Sequence, residues 1–294
     1  MKLNDNIFRA NDIRGVAFED LSQDVVFALG KALGTESIDR KQDDFIIGRD
    51  GRTSSPQLFE WLSEGVLSTG CNVTDIGIVP SPVFYHSTFN LNSSSGVVIT
   101  GSHNPADYNG FKILFNNNST SSQEIQSIKN RIKEKNFLSG AGDIKSLDVV
   151  ESYVKEITND IKLNRPINIS IDCGNGAAGV VAERIYKGLG CEVEGLFCDL
   201  NGKFPNHHPD PSKPENVEDL IKSVLKNNSE IGLAFDGDAD RLGVIAPSGE
   251  MIFPDMQMIL FSEHILKQNP NSKIVFDVKC SKLLKEAILK SKGT

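Results

Sequence analysis

The sequence has no apolar run approaching the roughly 18 residues that a membrane span needs, so no membrane association is expected. Its opening residues, Met1 to Asn6, lack the apolar segment of a secretory signal, which predicts a cytoplasmic protein. Cysteine is sparse and scattered. Cys71, Cys173, Cys191, Cys198 and Cys280 show no C-x-x-C spacing and no neighbouring histidine pattern, so neither a zinc centre nor a disulfide framework is indicated, and all five read as reduced thiols. Basic charge is also in deficit. With 31 Lys and Arg against 39 Asp and Glu the net charge is -8, which argues against nonspecific nucleic-acid binding. A small anionic ligand is compatible with that balance where positive charge is concentrated locally.

What is present is an ordinary globular composition, 39% hydrophobic and 24% charged, in 294 residues, a length that favours about two domains. The chain reads as strand-turn-helix units. A helix is expected from about Ser22, with Val25, Val26, Leu29 and Leu33 on one face and Gly34 as its stop. Strand Phe45 to Ile47 runs through Gly48-Arg49-Asp50-Gly51-Arg52 into a helix opened by Ser55-Pro56. A strand from Val73 to Ile78 and a Pro80-Ser81-Pro82 loop lead to the apolar strand Val97-Val98-Ile99. Asn109-Gly110 reads as a hairpin turn before strand Phe111 to Phe115, which would hold Lys112 near residue 102. Ser121-x-x-Glu124 fits a capping box, and the Gly-rich stretch Phe137 to Lys145 reads as a linker. Beyond it come a helix from Val149, strand Ile167 to Ile171, a helix from Val217, strand Ile231 to Phe235 and a Pro247-Ser248-Gly249 turn. A helix from Asp255, strand Ile274 to Phe276 and a helix from Ser281 close the chain.

Two loops carry chemistry. Thr100-Gly101-Ser102-His103-Asn104-Pro105 ends an apolar strand; Gly101 permits close backbone approach and Pro105 stops the strand, so Ser102 is expected on an exposed turn. Asp236-Gly237-Asp238-Ala239-Asp240-Arg241 alternates carboxylates that can converge on one hard cation when the loop curls; all-oxygen ligation suits Mg²⁺ or Mn²⁺. An EF-hand is excluded by Arg241 at the sixth position and Pro247 at the twelfth. The plain alternative, a solvated acidic turn, leaves three close aspartates repelling one another without compensation. In Phe8 to Gly15, Arg9 and Arg14 flank a turn and either reach a phosphate or lie solvated. Gly174-Asn175-Gly176-Ala177-Ala178-Gly179 fits the dinucleotide pattern with Asp199 beyond it, but strand-to-helix turns need glycine anyway. The pair His207-His208 reads as structural rather than metal-binding.

The segments Gly96 to Ser102 and Gly232 to Asp238 share a glycine, three apolar residues and an x-Gly-x turn, which aligns Ser102 with Asp238. Three segments, opening near Phe45, Ile167 and Ile274, start strand-turn-helix units, and only the first two continue to a loop-bearing strand. The expectation is an α/β chain of two complete, repeated mixed-sheet domains plus the start of a third. Boundaries are set at 1–146 for the serine-bearing domain, 147–254 for the acidic-loop domain and 255–294 for the incomplete third, so the chain is expected to be a fragment.

Thr100 to Pro105, Asp236 to Arg241, Asp12-Ile13-Arg14-Gly15 and the Phe204 to Pro214 run, in this order, resemble the α-D-phosphohexomutases, nearest their bacterial phosphomannomutase/phosphoglucomutase branch. The resemblance implies interconversion of hexose 1-phosphates and 6-phosphates, mannose or glucose, by an N-terminal part of such an enzyme. In it a phosphoserine at Ser102 passes its phosphoryl group to a hexose monophosphate, and a hexose 1,6-bisphosphate is the activator and intermediate. It further implies one Mg²⁺ held by the Ser102 phosphate, Asp236, Asp238 and Asp240. Arg14 and Arg241 would stabilise the transferring charge, and Lys112 and His103 would handle protons. Asn11 stands where the family commonly has a sugar-contacting tyrosine, and Lys279 matches a family substrate contact. Without the later domains the chain is expected to bind Mg²⁺ but to turn over sugar poorly. Two rival readings are a noncatalytic metal- or sugar-phosphate-binding remnant and an aspartyl phosphatase. The second rests on a strand-Asp-x-Asp that resembles the haloacid dehalogenase-like enzymes, although Asp240 departs from that pattern.

Overall fold

The computed structural model describes residues 3–294; Met1 and Lys2, the start of the segment read for a signal, lie outside them. Among the described residues no helix is long and apolar enough to cross a membrane. The first lobe runs β1 (Ile13–Val16), α1 (Gln23–Asp39), β2 (Asp44–Arg49), α2 (Ser55–Leu67), β3 (Asn72–Ile78), α3 (Ser81–Asn90), β4 (Gly96–Ile99), β5 (Tyr108–Phe115), β6 (Asn118–Ser119), α4 (Ser122–Glu134) and β7 (Ile144–Ser146). Its sheet has the order β1-β5-β4-β2-β3-β7, with β6 on β5. Strands β4, β2, β3 and β7 are parallel, and β5 is antiparallel to both β4 and β1. Every residue of β4 is buried, which is why that strand reads as an unbroken apolar run rather than an alternating one.

The second lobe runs α5 (Val150–Asp160), β8 (Asn168–Asp172), α6 (Ala182–Gly188), β9 (Glu192–Leu196), α7 (Glu218–Asn227), β10 (Ile231–Phe235), β11 (Leu242–Ile245) and β12 (Met251–Ile252), with sheet order β12-β11-β10-β8-β9. The internal repeat is visible in the pairing. The run β3-β2-β4-β5 has the same order and directions as β9-β8-β10-β11. In both lobes the strand that delivers a chemical loop, β4 or β10, lies between a parallel and an antiparallel neighbour, so its C-terminal end opens at the edge of the parallel set. The chain is thus a repeated mixed-sheet α/β protein, followed by the helix pair α8 (Pro254–Gln268) and α9 (Lys282–Lys290) around a small cluster of Leu266, Leu284 and Ile288.

Several local expectations are corrected by tertiary context. Helix α1 does not stop at Gly34. That residue and Gly30 instead let α1 lie against α2, where a Cβ on Gly30 would stand 2.2 Å from the Leu62 carbonyl oxygen and one on Gly65 2.2 Å from that of Phe27. Asn109-Gly110 is not a hairpin turn. Both residues lie inside β5, opposite Gly15 and Arg14 of β1, and a Cβ on Gly110 would meet the Ile13 carbonyl at 2.5 Å. Pro80-Ser81-Pro82 is the start of α3 with proline in its first turn, not a loop. Part of the 137–145 linker forms the edge strand β7, paired with β3. Residues 274–276 find no partner strand, leaving Val275 90% exposed, and so form none. The Ser121 capping box is present: Ser121 N–H donates to Glu124 Oε2 at 2.8 Å and Glu124 N–H to Ser121 Oγ at 3.3 Å.

Candidate active site

The serine turn is shaped by Arg52, a buried guanidinium at the end of the β2–α2 connection. Its Nη1 donates to the Pro105 and Tyr108 carbonyls at 2.5 and 2.9 Å, its Nη2 to those of Ser102 and Asn104, both at 2.7 Å, and its Nε to Asp50 at 3.2 Å. A planar donor fork is suited to gathering several carbonyls at once. Gly101 is required because a Cβ there would fall 2.4 Å from the guanidinium carbon. Ser102 adopts φ +50°, a left-handed conformation that a non-glycine residue holds only when its surroundings over-determine it. Here the Ser102 N–H donates to Thr100 Oγ1 at 2.8 Å while its carbonyl is held by Arg52.

Ser102 is buried rather than on an exposed turn, because the acidic loop of the other lobe covers it. Ser102 Oγ donates to Asp236 Oδ2 at 2.9 Å and lies 3.1 Å from His103 Nδ1. The backbones touch too. A Cβ on Gly237 would stand 2.4 Å from the Ser102 carbonyl oxygen, Ser81 N–H donates to the Asp238 carbonyl at 2.8 Å, and His208 Nε2 donates to the His103 carbonyl at 2.6 Å. The structural reading of the His207-His208 pair agrees with its contacts. His208 ties the serine turn to the second lobe, and His207 bonds Asp172 at 3.0 Å, which raises its pKa against the downward pull of burial.

The acidic loop curls as the alternation requires. Asp236 Oδ1 accepts the N–H groups of Asp240 and Arg241, both at 3.0 Å. Oxygens of Asp236, Asp238 and Asp240 come within 4.8 Å of one another. Their repulsion is compensated by Lys112, which projects from β5 to donate to Asp238 Oδ2 and Asp240 Oδ2, both at 2.5 Å; Ser81 Oγ also donates to Asp238. Burial first, then the charges of Asp238 and Asp240, push Asp236 up to about 8. Burial also presses Asp238 upward, but Lys112 and Ser81 outweigh it and hold that carboxyl below its usual value. Lys112 in turn is raised: burial works against its charge, and the two aspartates overcome it. One oxygen, Asp238 Oδ1, is buried without a hydrogen-bond partner. An orphan carboxylate oxygen beside two further carboxylates and a serine hydroxyl is a donor set that fits a hard divalent cation.

His103 is lowered by burial and then by the positive charges of Arg241 and Arg14, which places both arginines in the electrostatic field of the serine turn. Arg14, on β1, bonds Asp12 at 2.5 Å, and its Nε is buried without a partner. Asn11 is exposed on the turn before β1. The Lys279 side chain is 85% exposed, with its ammonium 3.6 Å from Asp277. The glycines of the 174–179 run have local duties: Gly176 packs on Gly237 of the acidic loop, and Gly179 lies against the Cys198 carbonyl.

Family profiles described as phosphoglucomutase/phosphomannomutase alpha/beta/alpha domain I and domain II match residues 5–139 and 151–249. The chain belongs to the phosphoglucomutase/phosphomannomutase family. A phosphomannomutase/phosphoglucomutase of Pseudomonas putida is 46% identical over 282 residues, covering 96% of this chain and 61% of the relative. A phosphoglucomutase of Neisseria meningitidis serogroup B is 45% identical over 95% of this chain and 61% of its own length. The X-ray structure of a phosphoglucomutase/phosphomannomutase family protein from Burkholderia thailandensis superposes with a TM-score of 0.96 at 43% identity, over 99% of this chain and 66% of that one. The chain therefore spans about 61% of the length of these curated relatives.

Arg52, Ser81 and His208 hold this site together although their local sequence singles them out only faintly. The signals were present but weak: an arginine two residues after Asp50, and a serine between prolines that reads as loop chemistry.

Proposed function

We propose that this chain is the phosphoryl-carrying and cation-binding part of a phosphomannomutase/phosphoglucomutase, interconverting hexose 1-phosphates and 6-phosphates through phosphoserine 102 and a hexose 1,6-bisphosphate. The observation that carries the reading is the 2.9 Å contact of Ser102 Oγ with Asp236 across the two lobes. We take the lobes to divide at 146/147 and the helix pair to begin a further unit at 255, and we place the protein in the cytoplasm, a setting that suits its five free thiols.

The hydroxyl proton has two acceptors in reach, Asp236 Oδ2 at 2.9 Å and His103 Nδ1 at 3.1 Å. His103, lowered below its ordinary pKa, is neutral at pH 7 and so able to take the proton when Ser102 is phosphorylated and to return it on transfer. Lys112, held cationic by Asp238 and Asp240, serves as a fixed positive charge rather than as a base. Arg14 and Arg241 stabilise charge on the moving phosphoryl group, with Asn11 and Lys279 as contacts to the sugar phosphate. Asp236, Asp238, Asp240 and the Ser102 phosphate would hold Mg²⁺, which when bound neutralises phosphate charge and makes the phosphorus more electrophilic. Incubation with glucose 1,6-bisphosphate and Mg²⁺ followed by intact-mass measurement tests the reading. One added phosphoryl group mapped to Ser102, and absent in Ser102→Ala, supports it. An unmodified serine at saturating bisphosphate rules it out.

A further inference from the structure

Beneath the acidic loop lies a pair of thiols that phosphoryl transfer does not use. Cys173 follows β8 and Cys198 lies two residues beyond β9, its parallel neighbour, so the ladder itself brings them together: Cys173 N–H donates to the Leu196 carbonyl at 3.1 Å. The two sulfurs are 3.5 Å apart. Gly195 helps to make the room, since a Cβ there would stand 3.0 Å from Cys198 Sγ. Cys173 is fully buried and Cys198 partly exposed. A disulfide has its sulfurs about 2 Å apart, so forming one draws these sulfurs together by on the order of 1.5 Å.

We propose that Cys173 and Cys198 form a reversible, peroxide-oxidisable disulfide site. The partly exposed Cys198 reacts first: its thiolate attacks hydrogen peroxide, an S–O bond forms as the O–O bond breaks, and the departing hydroxide takes up a proton as water, leaving Cys198 as a sulfenic acid. Cys173 sulfur then attacks Cys198 sulfur, the S–S bond forms as the S–O bond breaks, and the hydroxide released leaves as water with the Cys173 proton. The two thiols together lose two electrons and one peroxide is reduced to two waters. Cys173 suits the second role. Burial shields it from peroxide while its sulfur stands 3.5 Å from that of Cys198, and it gives up its proton as that sulfur attacks.

The site lies under functional structure. Gly176 N–H donates to the Cys173 carbonyl at 2.7 Å, and the next residue, Ala177, donates to the Gly237 carbonyl of the acidic loop at 3.0 Å. Just past the other strand Phe197, at φ +51°, stacks edge-on against His207 at 5.4 Å. A cross-link there constrains both turns that support the acidic loop and the histidine pair.

The test uses the whole 294-residue chain, folded and free of reductant. After brief exposure to hydrogen peroxide and alkylation with N-ethylmaleimide, the expected result is the loss of two hydrogens' mass, two fewer alkylated cysteines and a cross-linked peptide containing Cys173 and Cys198. Dithiothreitol restores both thiols. Cys191→Ser, a change in the same apolar cluster, leaves the cross-link intact, whereas Cys173→Ser abolishes it and leaves a sulfenic acid on Cys198 that dimedone traps. Matching thermal unfolding of the two variants shows that loss of the cross-link is not loss of the fold. Full alkylation of both cysteines after peroxide, over-oxidation of Cys198 without a cross-link, or a cross-link formed only in urea each overturns the proposal. The readout is independent of the mutase reading, because no sugar phosphate is present.

Discussion

Ser102 Oγ and Asp236 Oδ2 lie 2.9 Å apart although 134 residues separate them, and the contact is made by the ends of two equivalent strands in two repeated lobes. Duplicated topology thus gives each lobe one loop, and their apposition buries a hydroxyl against three carboxylates.

The first prediction concerns the strain of that burial. Asp236, raised from the ordinary 3.8 to about 8, binds its proton more tightly in the folded than in the unfolded chain. A raised carboxyl of this kind makes the cation-free protein lose stability as pH climbs from about 4 to about 8. The opposite shift at Asp238 has its effect below pH 4 and does not mask this window. Asp236→Asn is therefore expected to melt higher than the parent at pH 8 without Mg²⁺, by about 5 °C, and to lose the stabilisation that Mg²⁺ gives the parent. Thermal melts from pH 5 to 8.5 with and without Mg²⁺ check it; a variant less stable than the parent at pH 8 contradicts it.

Arg52 is predicted to hold the serine turn. Replacing it with alanine leaves Asp50 buried without its cation and frees four carbonyls, a loss of roughly 3–5 kcal/mol. Arg52→Lys keeps the charge but not the fork, and is expected to keep more than half of that stability while slowing Ser102 phosphorylation by about tenfold or more. Denaturant melts and the rate of mass gain from glucose 1,6-bisphosphate separate the two effects. Equal phosphorylation rates in parent and lysine variant would falsify the positioning role.

These two cases mark how far the sequence could be read. The loops at 100–105 and 236–241 were legible because an apolar run followed by glycine and a polar residue is a local pattern, and the Ser121 capping box was legible for the same reason. Asn109-Gly110 misled because the turn preference of that dipeptide is small beside the pairing of β5 with both β4 and β1. Gly34 misled because a glycine that ends a helix and one that admits a neighbouring helix look alike in one dimension. Arg52 and Ser81 carry only weak local signals because each acts through partners far along the chain: Arg52 bonds residues 102 to 108, and Ser81 bonds Asp238.

His103 provides a pH prediction. Burial and the charges of Arg241 and Arg14 lower its pKa below 6.5, so the neutral ring persists as the solution becomes mildly acidic. The acid limb of Ser102 phosphorylation is expected below pH 6.5, and Arg241→Gln is expected to move the His103 titration upward by removing one of the opposing charges. An NMR titration of the His103 ring in the cation-free parent and variant measures the shift. A downward move, or none, would show that Arg241 does not act on this ring.

Lys112 is predicted to compete with the cation it stands beside. Its ammonium donates to Asp238 and Asp240 at 2.5 Å each, using two of the carboxylates that the donor set requires. Substituting methionine removes the positive charge and keeps most of the stem that β5 packs. The cation-free variant should be less stable, because three carboxylates then face one another uncompensated, while its affinity for Mg²⁺ should rise by about tenfold, equivalent to about 1.4 kcal/mol. Phosphorylation of Ser102 should nonetheless slow, since the fixed charge proposed to stabilise the transferring phosphoryl group is gone. Calorimetric titration of Lys112→Met with Mg²⁺ decides between competition and support: weaker binding than the parent would mean that the lysine organises the carboxylates for the cation rather than occupying them.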